Sequence, residues 1–313
     1  MAAEPQSASG GTVQDPAAGE TPAHRAPAQG TPEEASAERT SAAGAEPPPA
    51  RQARTRSRLA GVYTGYTGGK DAHEDDRRLA EAVGRINPTA VLCAEQNRAF
   101  MHRAVRWLAA EAGIRQFVDI GCGLPVHPDL HDVAQAVRPD ARIAYVDNEP
   151  TVLVHAQALA RSTPEGRVTA FAGDVRDPEG VLSDPRLSAT LDLTRPVAVC
   201  VIALLHFVPD GARDARGIVR RLLRDLPSGS FFVCSHVTSE FAPVMLERAS
   251  REYRRAGHAV AIRSRAEIER LFDGLELVPP GVVSVHRWRP DDPAAAALDE
   301  AAINGLAGVG RVP

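Results

Sequence analysis

A mostly parallel, doubly wound α/β sheet is the fold class predicted for this chain of 313 residues, and three observations predict it. From Gln116 onward, short apolar runs alternate with helical patterns, the arrangement that makes parallel β-α-β units. The run Arg115-Gln-Phe-Val-Asp-Ile120 leads straight into a glycine-rich turn, Gly121-Cys122-Gly123, with a helical pattern beyond it. Late in the chain, Pro279-Pro280-Gly281 separates two apolar runs too closely for a parallel crossover, so those runs are expected to pair antiparallel.

Taken in order, residues 1–55 are rich in Ala, Pro, Gly, Ser, Thr and Glu and nearly devoid of large apolar side chains. Such a segment buries too little surface to offset its ordering entropy, and a disordered tail is expected. Structure is expected from Arg56, beginning with a Gly/Tyr segment and then helices over Asp75–Arg85 and Thr89–Ala110. Residues 56–112 read as a helical extension and 113–290 as the sheet-bearing core, within one structured unit over 56–313. Strands are predicted at 115–120, 142–146, 168–172, 197–204 and 231–236, with a helix from Pro128 to Val137 behind the first turn. A closing antiparallel pair is predicted near 275–278 and 282–287, and the tail after Asp291 carries little signal.

The formal charge of −4 and pI near 6.2 provide no basic excess of the kind nucleic acid attracts. Arg220, Arg221 and Arg224 read as the solvated face of a helix. Cys93, Cys122, Cys200 and Cys234 form no Cys-x-x-Cys pair, and three fall in or beside apolar strands, a reduced, intracellular pattern. No apolar leader or membrane-length run is visible, and a cytoplasmic location is expected. His127 and His131 stand four apart without a third ligand in a recognisable spacing, so no metal site is expected. A Gly-x-Ser-x-Gly elbow is absent, which removes the basis for a serine hydrolase.

Two acids at strand ends point to a nucleoside-bearing cofactor. Asp119 lies two residues before Gly121, and Asp147 closes the next strand, where a carboxylate can accept hydrogen bonds from both ribose hydroxyls. A nicotinamide dinucleotide fits less well, because Leu124, Pro125, Val126 and His127 crowd the place where its pyrophosphate would lie. S-adenosylmethionine has no phosphate, and its amino group suits an acid ahead of Gly121-Cys122-Gly123. Asp174 and the Val175 N–H, after the third strand, are candidates for reading adenine. His206, in Leu205-His206-Phe207-Val208-Pro209 at the end of the fourth strand, is read as either a wall residue or a general base. His236, at the end of the fifth, is a candidate of the same kind. A nicotinamide-dependent oxidoreductase stays as the alternative enzyme class.

Several stretches together resemble a family of actinobacterial S-adenosylmethionine-dependent methyltransferases long catalogued as a domain of unknown function. They are Gly68-Gly69-Lys70-Asp71, Asn97-Arg98-Ala99-Phe100, Asp119-Ile120-Gly121-Cys122-Gly123-Leu124-Pro125, Val146-Asp147-Asn148 and Leu205-His206-Phe207-Val208-Pro209. Ser235-His236, Arg265-Ala266-Glu267-Ile268, Arg287-Trp288-Arg289-Pro290 and a closing Gly308-Val309-Gly310-Arg311 continue the likeness. The resemblance implies the class I methyltransferase (Rossmann-like) fold, a seven-stranded sheet with the last strand inserted antiparallel. It implies S-adenosyl-L-methionine as cofactor, and it adds Tyr63, Gly69, Lys70, Arg98, Asn148 and Leu205 to the cofactor-binding candidates.

In this fold an N-terminal extension commonly crosses the carboxyl ends of the strands. Gly69 and Lys70 are therefore expected near Gly121 and His206, with Lys70 pairing the methionine carboxylate and Tyr63 walling the methyl. The chain departs from the family pattern at Tyr63-Thr64-Gly65 and Ala72-His73, which keeps a catalytically silent cofactor-binding protein in view. A small-molecule acceptor is expected, with neither nucleic acid nor membrane as partner, and Tyr63, Tyr66, Phe207, Phe241 and Tyr253 are the candidates for stacking on it.

Overall fold

Consecutive side chains on the central strands point to opposite faces, as the period of a pleated strand requires. On β1 (Gln116–Ile120), Phe117 faces one apolar cluster while Val118 and Ile120 face the other. On β2 (Arg142–Asp147), Ile143 and Tyr145 join the first and Ala144 and Val146 the second. Both faces are therefore covered, which is why these strands read as unbroken apolar runs. The computed structural model describes residues 57–69, 71–159, 161–211 and 214–313. The expectation for 1–55 lies outside the described residues.

The remaining strands are β3 (Arg167–Ala172), β4 (Ala198–Ile202), β5 (Phe231–Val237), β6 (Glu276–Leu277), β7 (Val283–Ser284) and β8 (Gly305–Arg311). The sheet runs β3-β2-β1-β4-β5-β8-β6, with β7 also paired to β8. β1 to β5 are parallel, and β8 lies antiparallel beside β5 from Val237↔Gly305 to Phe231↔Arg311. This is the class I methyltransferase order, with the last strand inserted antiparallel.

The closing strands differ from the sequence expectation. β6 and β7 do not pair as a hairpin. Both run antiparallel to β8, through Leu277↔Gly310 and Val283↔Ala307, as two pieces of one edge strand. Pro279-Pro280-Gly281 interrupts that edge, where proline's missing N–H costs no ladder bond. The antiparallel strand is Gly305–Arg311, within the tail that carried little signal.

Helices α1 (Leu59–Tyr66), α2 (Glu74–Ile86) and α3 (Ala90–Ala110) precede the sheet. After it begins come α4 (Leu130–Val137), α5 (Pro150–Leu159), α6 (Pro178–Leu182), α7 (Pro185–Thr190), α8 (Ala215–Leu223) and α9 (Pro243–Arg255). The Gly/Tyr segment is thus a helix. Gly61 lets α1 approach α2 so closely that a Cβ there would lie 1.9 Å from Asp76 Oδ2. Asp76 accepts from the Arg58 backbone N–H at 2.6 Å and pairs with its guanidinium at 2.8 Å. Val62, Leu79, Ala80, Val83 and Ala249 form a small separate core that joins α1 and α2 to α9. No described helix is long and apolar enough to cross a membrane.

Candidate cofactor cleft and acceptor cavity

The chain reverses its direction of travel across the sheet between β1 and β4, and the crevice beyond their carboxyl ends is where an open parallel sheet holds a ligand. There Gly121 and Gly123 adopt left-handed backbone, with φ of +73° and +68°. A Cβ on Gly121 would meet Leu204 Cδ2 at 2.7 Å, whereas one on Gly123 would meet nothing within 4 Å, so the second glycine borders open space. The Gly121 N–H donates to Val146 O at 2.7 Å and the Gly123 N–H to Asp147 Oδ2 at 3.0 Å, fastening the loop to the end of β2.

A cleft of about 1080 Å³ opens over this loop. Its lining includes Tyr63, Arg98, Asp119, Gly121, Cys122, Gly123, Asp147, Asn148, Asp174 and Val175, ten of the expected site residues brought together. Five carboxyl side chains (Asp119, Asp129, Asp147, Glu149 and Asp174) face it against a single guanidinium among the described residues. Burial first, then the neighbouring Asp129, pushes the Asp119 carboxyl up to about 8. Asp147 is raised by burial, opposed by N–H bonds from Glu149 at 2.9 Å and from Gly123. Each of its oxygens keeps a second lone pair for a hydroxyl. Asp174 is held down to about 2, chiefly by its bonds from Arg176, and it accepts from Asn148 Nδ2 at 3.2 Å. Burial and the nearby Asp147 and Asp119 raise the Cys122 thiol.

Arg98 has a bracing role within that lining, and the remaining expected residues are placed differently. Arg98 donates to the carbonyls of Val126 and Pro128 and stands 3.6 Å from Asp129, so it braces the glycine loop against α3. Leu205 is fully buried in the core and lines neither cavity, because the backbone turns inward as a 3₁₀ segment there. Gly68 and Gly69 end α1, with Gly69 N–H bonded to Thr64 O at 3.0 Å, and Gly69 lines neither cavity. Lys70 lies outside the described residues. The part of the extension that roofs the cleft is α1 itself, through Leu59, Ala60 and Tyr63. Glu149 was not anticipated. Its Oε2 is buried without a partner among the described residues, and burial followed by Asp147 raises its carboxyl to about 6. Its only sequence signal is an acid two residues past a strand end.

A second cavity of about 990 Å³ adjoins the first, sharing Leu59, Tyr63, Asn97, Ala203 and Phe207 as a common wall. A hydrogen-bond chain crosses that wall. Asn97 Nδ2 donates to Tyr63 Oη at 3.0 Å, Ser235 Oγ donates to Asn97 Oδ1 at 2.5 Å, and Ala203 N–H donates to Ser235 Oγ at 3.0 Å. Ala203 holds φ +52°, a left-handed strain at the seam between the two spaces.

His206 and His236 line the second cavity, their rings 5.4 Å apart. His236 uses both nitrogens: Nδ1–H donates to Val237 O at 2.6 Å, and Nε2 accepts from Arg263 Nη1 at 2.8 Å. Its proton affinity falls to about 4, through burial first and with Arg263 adding to it. No lone pair is left for proton abstraction. His206 is also held neutral, by burial, His236 and Arg263, and its Nδ1 is buried without a partner among the described residues. Of the expected stacking residues, Tyr63, Tyr66, Phe207 and Tyr253 line this cavity, whereas Phe241 packs on the core.

Residues 46–313 match the family described as S-adenosyl methyltransferase. A DUF574 family protein from Streptomyces avermitilis is 47% identical, with a TM-score of 0.80 over 82% of this chain and 98% of its own. A candidate methyltransferase from Thermobifida fusca is 38% identical, with a TM-score of 0.76 over 85% of this chain and 98% of its own. No curated protein matches the chain.

Proposed function

The chain belongs to the S-adenosyl methyltransferase family, with S-adenosylmethionine as its cofactor, and on that premise we propose that it methylates a small molecule held in the second cavity. The observation that carries this reading is the charge of the first cleft, five carboxyl groups against one guanidinium among the described residues. A ligand bearing a sulfonium and an ammonium suits such a cleft. A pyrophosphate would find a single guanidinium among these carboxyl groups, already engaged with Val126 O, Pro128 O and Asp129, which argues against a nicotinamide dinucleotide.

In this reading Asp119 receives the ammonium, Asp147 and Glu149 the ribose hydroxyls, and Asp174 with the Val175 N–H the adenine. The loop from Gly121 to Gly123 borders the methionine portion. When bound, the cofactor supplies an electrophilic methyl carbon on sulfur. The protein's own share is alignment and exclusion of water: Tyr63, Asn97, Ala203 and Phe207 form the wall through which the two spaces adjoin. His206 orients the acceptor by a hydrogen bond, since its depressed proton affinity suits it to accept a bond rather than to keep a proton. His236, tied at both nitrogens, positions the His206 ring.

Calorimetry with S-adenosylhomocysteine tests the cofactor site: saturable binding is expected, and no heat at millimolar ligand overturns the assignments. Thermal shift with NADH and S-adenosylhomocysteine in parallel separates the two enzyme classes, because ligand at ~100 times its dissociation constant adds roughly 2.7 kcal/mol of stability. A labelled-methyl assay on small-molecule fractions of the producing cell separates catalysis from silent binding.

A further inference from the structure

Among the described residues, no Asp, Glu, Lys or Arg side chain lines the second cavity. Its wall is largely apolar, with Tyr66, Leu246, Tyr253, Val260, Ile262 and Phe207 on it. A phosphate, carboxylate or alkylammonium entering this space would lose its water and gain no counter-ion, a heavy desolvation cost. The contrast with the carboxylate-rich cleft next door is sharp.

Two wall residues nevertheless present a buried polar atom that finds no partner among the described residues, His206 Nδ1 and Asn304 Oδ1. His206 is 8% exposed and Asn304 2%. The Asn304 amide is oriented by its own fold: it caps the turn Glu300–Ile303 in left-handed backbone, and Nδ2 donates to Ala301 O at 2.7 Å. That leaves Oδ1, which can only accept. Around the His206 ring stand His236 of β5, the Arg263 guanidinium and, paired to Arg263 at 2.7 Å, Asp210. The nearest cation opposes a second one, so the imidazole has a lone pair to offer. A polar atom buried without a partner is costly, and a ligand donor removes that cost.

We infer that the second cavity binds an uncharged, predominantly apolar molecule carrying an O–H or N–H donor, which is received by His206 Nδ1 or Asn304 Oδ1. The inference rests on reading this cavity as the acceptor's, and it specifies that acceptor's chemical class. Phosphorylated, carboxylated and alkylammonium compounds are excluded as ligands.

The test uses the full chain and three probes on one ring skeleton: 2-naphthol, naphthalene and 2-naphthoate. S-adenosylhomocysteine binding is measured first, by itself; its absence would count against the cofactor cleft, and the probes are then compared on the cofactor-free chain. On the S-adenosylhomocysteine-saturated protein, 2-naphthol should bind about tenfold tighter than naphthalene, the loss expected when buried acceptors stay unpaired. It should bind at least tenfold tighter than 2-naphthoate. Naphthalene equal to 2-naphthol, 2-naphthoate equal or tighter, or no 2-naphthol binding up to its solubility limit each overturns the inference. Asn304→Gly, whose left-handed backbone glycine accepts, should narrow the 2-naphthol to naphthalene ratio severalfold. An unchanged ratio removes Asn304 from the site, and if the variant does not fold, the three-probe comparison on the natural chain decides.

Discussion

Replacing Asp119 by Asn should abolish a pH dependence of cofactor binding that the natural chain shows strongly. The Asp119 carboxyl is 7% exposed and is pushed up to about 8, by burial first and then by Asp129, with Arg98 opposing and Asp147 adding. At about pH 6 it lies some two units below its midpoint, so roughly one carboxyl in a hundred is ionised. An ammonium ligand needs the ionised form. Affinity for S-adenosylhomocysteine should therefore climb about tenfold, or ~1.4 kcal/mol, for each pH unit between about 6 and 8, and then level off.

Stability of the ligand-free chain should move the other way. The unfolded carboxyl has given up its proton above its ordinary value of 3.8, while the folded one keeps it to about 8. Through this group, stability is complete below the lower value and is lost as pH rises toward the upper one, at up to ~1.4 kcal/mol per unit. Titration calorimetry from about pH 6 to 8.5, repeated in buffers of different ionisation enthalpy, reads both the affinity and the proton released on binding. Asp119→Asn should be flat, with no proton released, above about pH 7, where Glu149, raised to about 6, is already ionised. A natural chain whose affinity is constant or falls with pH, or a variant that keeps the slope, refutes the assignment of Asp119 to the ammonium.

Gly61→Ala places a Cβ 1.9 Å from Asp76 Oδ2 and should loosen the clasp of α1 on α2, lowering stability by ~1–3 kcal/mol in thermal melts; an unchanged Tm counts against that clasp. Gly121→Ala combines φ +73° with a Cβ 2.7 Å from Leu204, and should weaken S-adenosylhomocysteine binding at least tenfold by calorimetry; equal affinity would show that the loop yields without cost. Asp147→Ala removes acceptors for the Gly123 and Glu149 N–H groups as well as the ribose ligand, and should cost ~1–3 kcal/mol of binding. A full-affinity Asp147→Ala protein would remove the ribose assignment.

The first two strands and the turn between them were legible because local signals agreed there: apolar runs, then Gly121 and Gly123 in backbone that favours glycine. β8 was not, because Gly305, Gly308 and Gly310 read as turn residues. Their reason is tertiary. A Cβ on Gly308 would lie 3.0 Å from Phe272 Cζ, and one on Gly310 2.9 Å from Leu275 Cδ1, so the missing side chains let these groups pack on the strand. α1 was hidden similarly, since Gly61 and Gly65 weaken the local helix signal and the contact with α2 restores it. The cleft was readable from strand-end acids. The second cavity was readable only in part: His206, His236 and four stacking aromatics were expected there, but the rest of its wall draws on residues from Leu59 to Gly305 with no shared pattern. Asn304 shows this most plainly: nothing beside it in the sequence indicates that His206, about a hundred positions away, offers a second unpaired atom to the same space.

The two cavities have opposite electrostatic character across a shared wall, and that contrast bears on which molecule enters which. A cationic ligand is drawn to the cleft of carboxyl groups and finds no counter-charge in the neutral cavity. An uncharged apolar ligand gains from burial in the second cavity and would have to desolvate carboxylates to occupy the first. Each space therefore rejects the other's occupant, a selection against wrong placement rather than only for right placement. The wall must then be thin and fixed for the two ligands to meet. The chain of hydrogen bonds from Ala203 through Ser235 and Asn97 to Tyr63 joins β4, β5, α3 and α1 at that line. Its fixed geometry gives a reason for the left-handed backbone at Ala203, because a relaxed alanine there would withdraw the N–H that bonds to Ser235 Oγ.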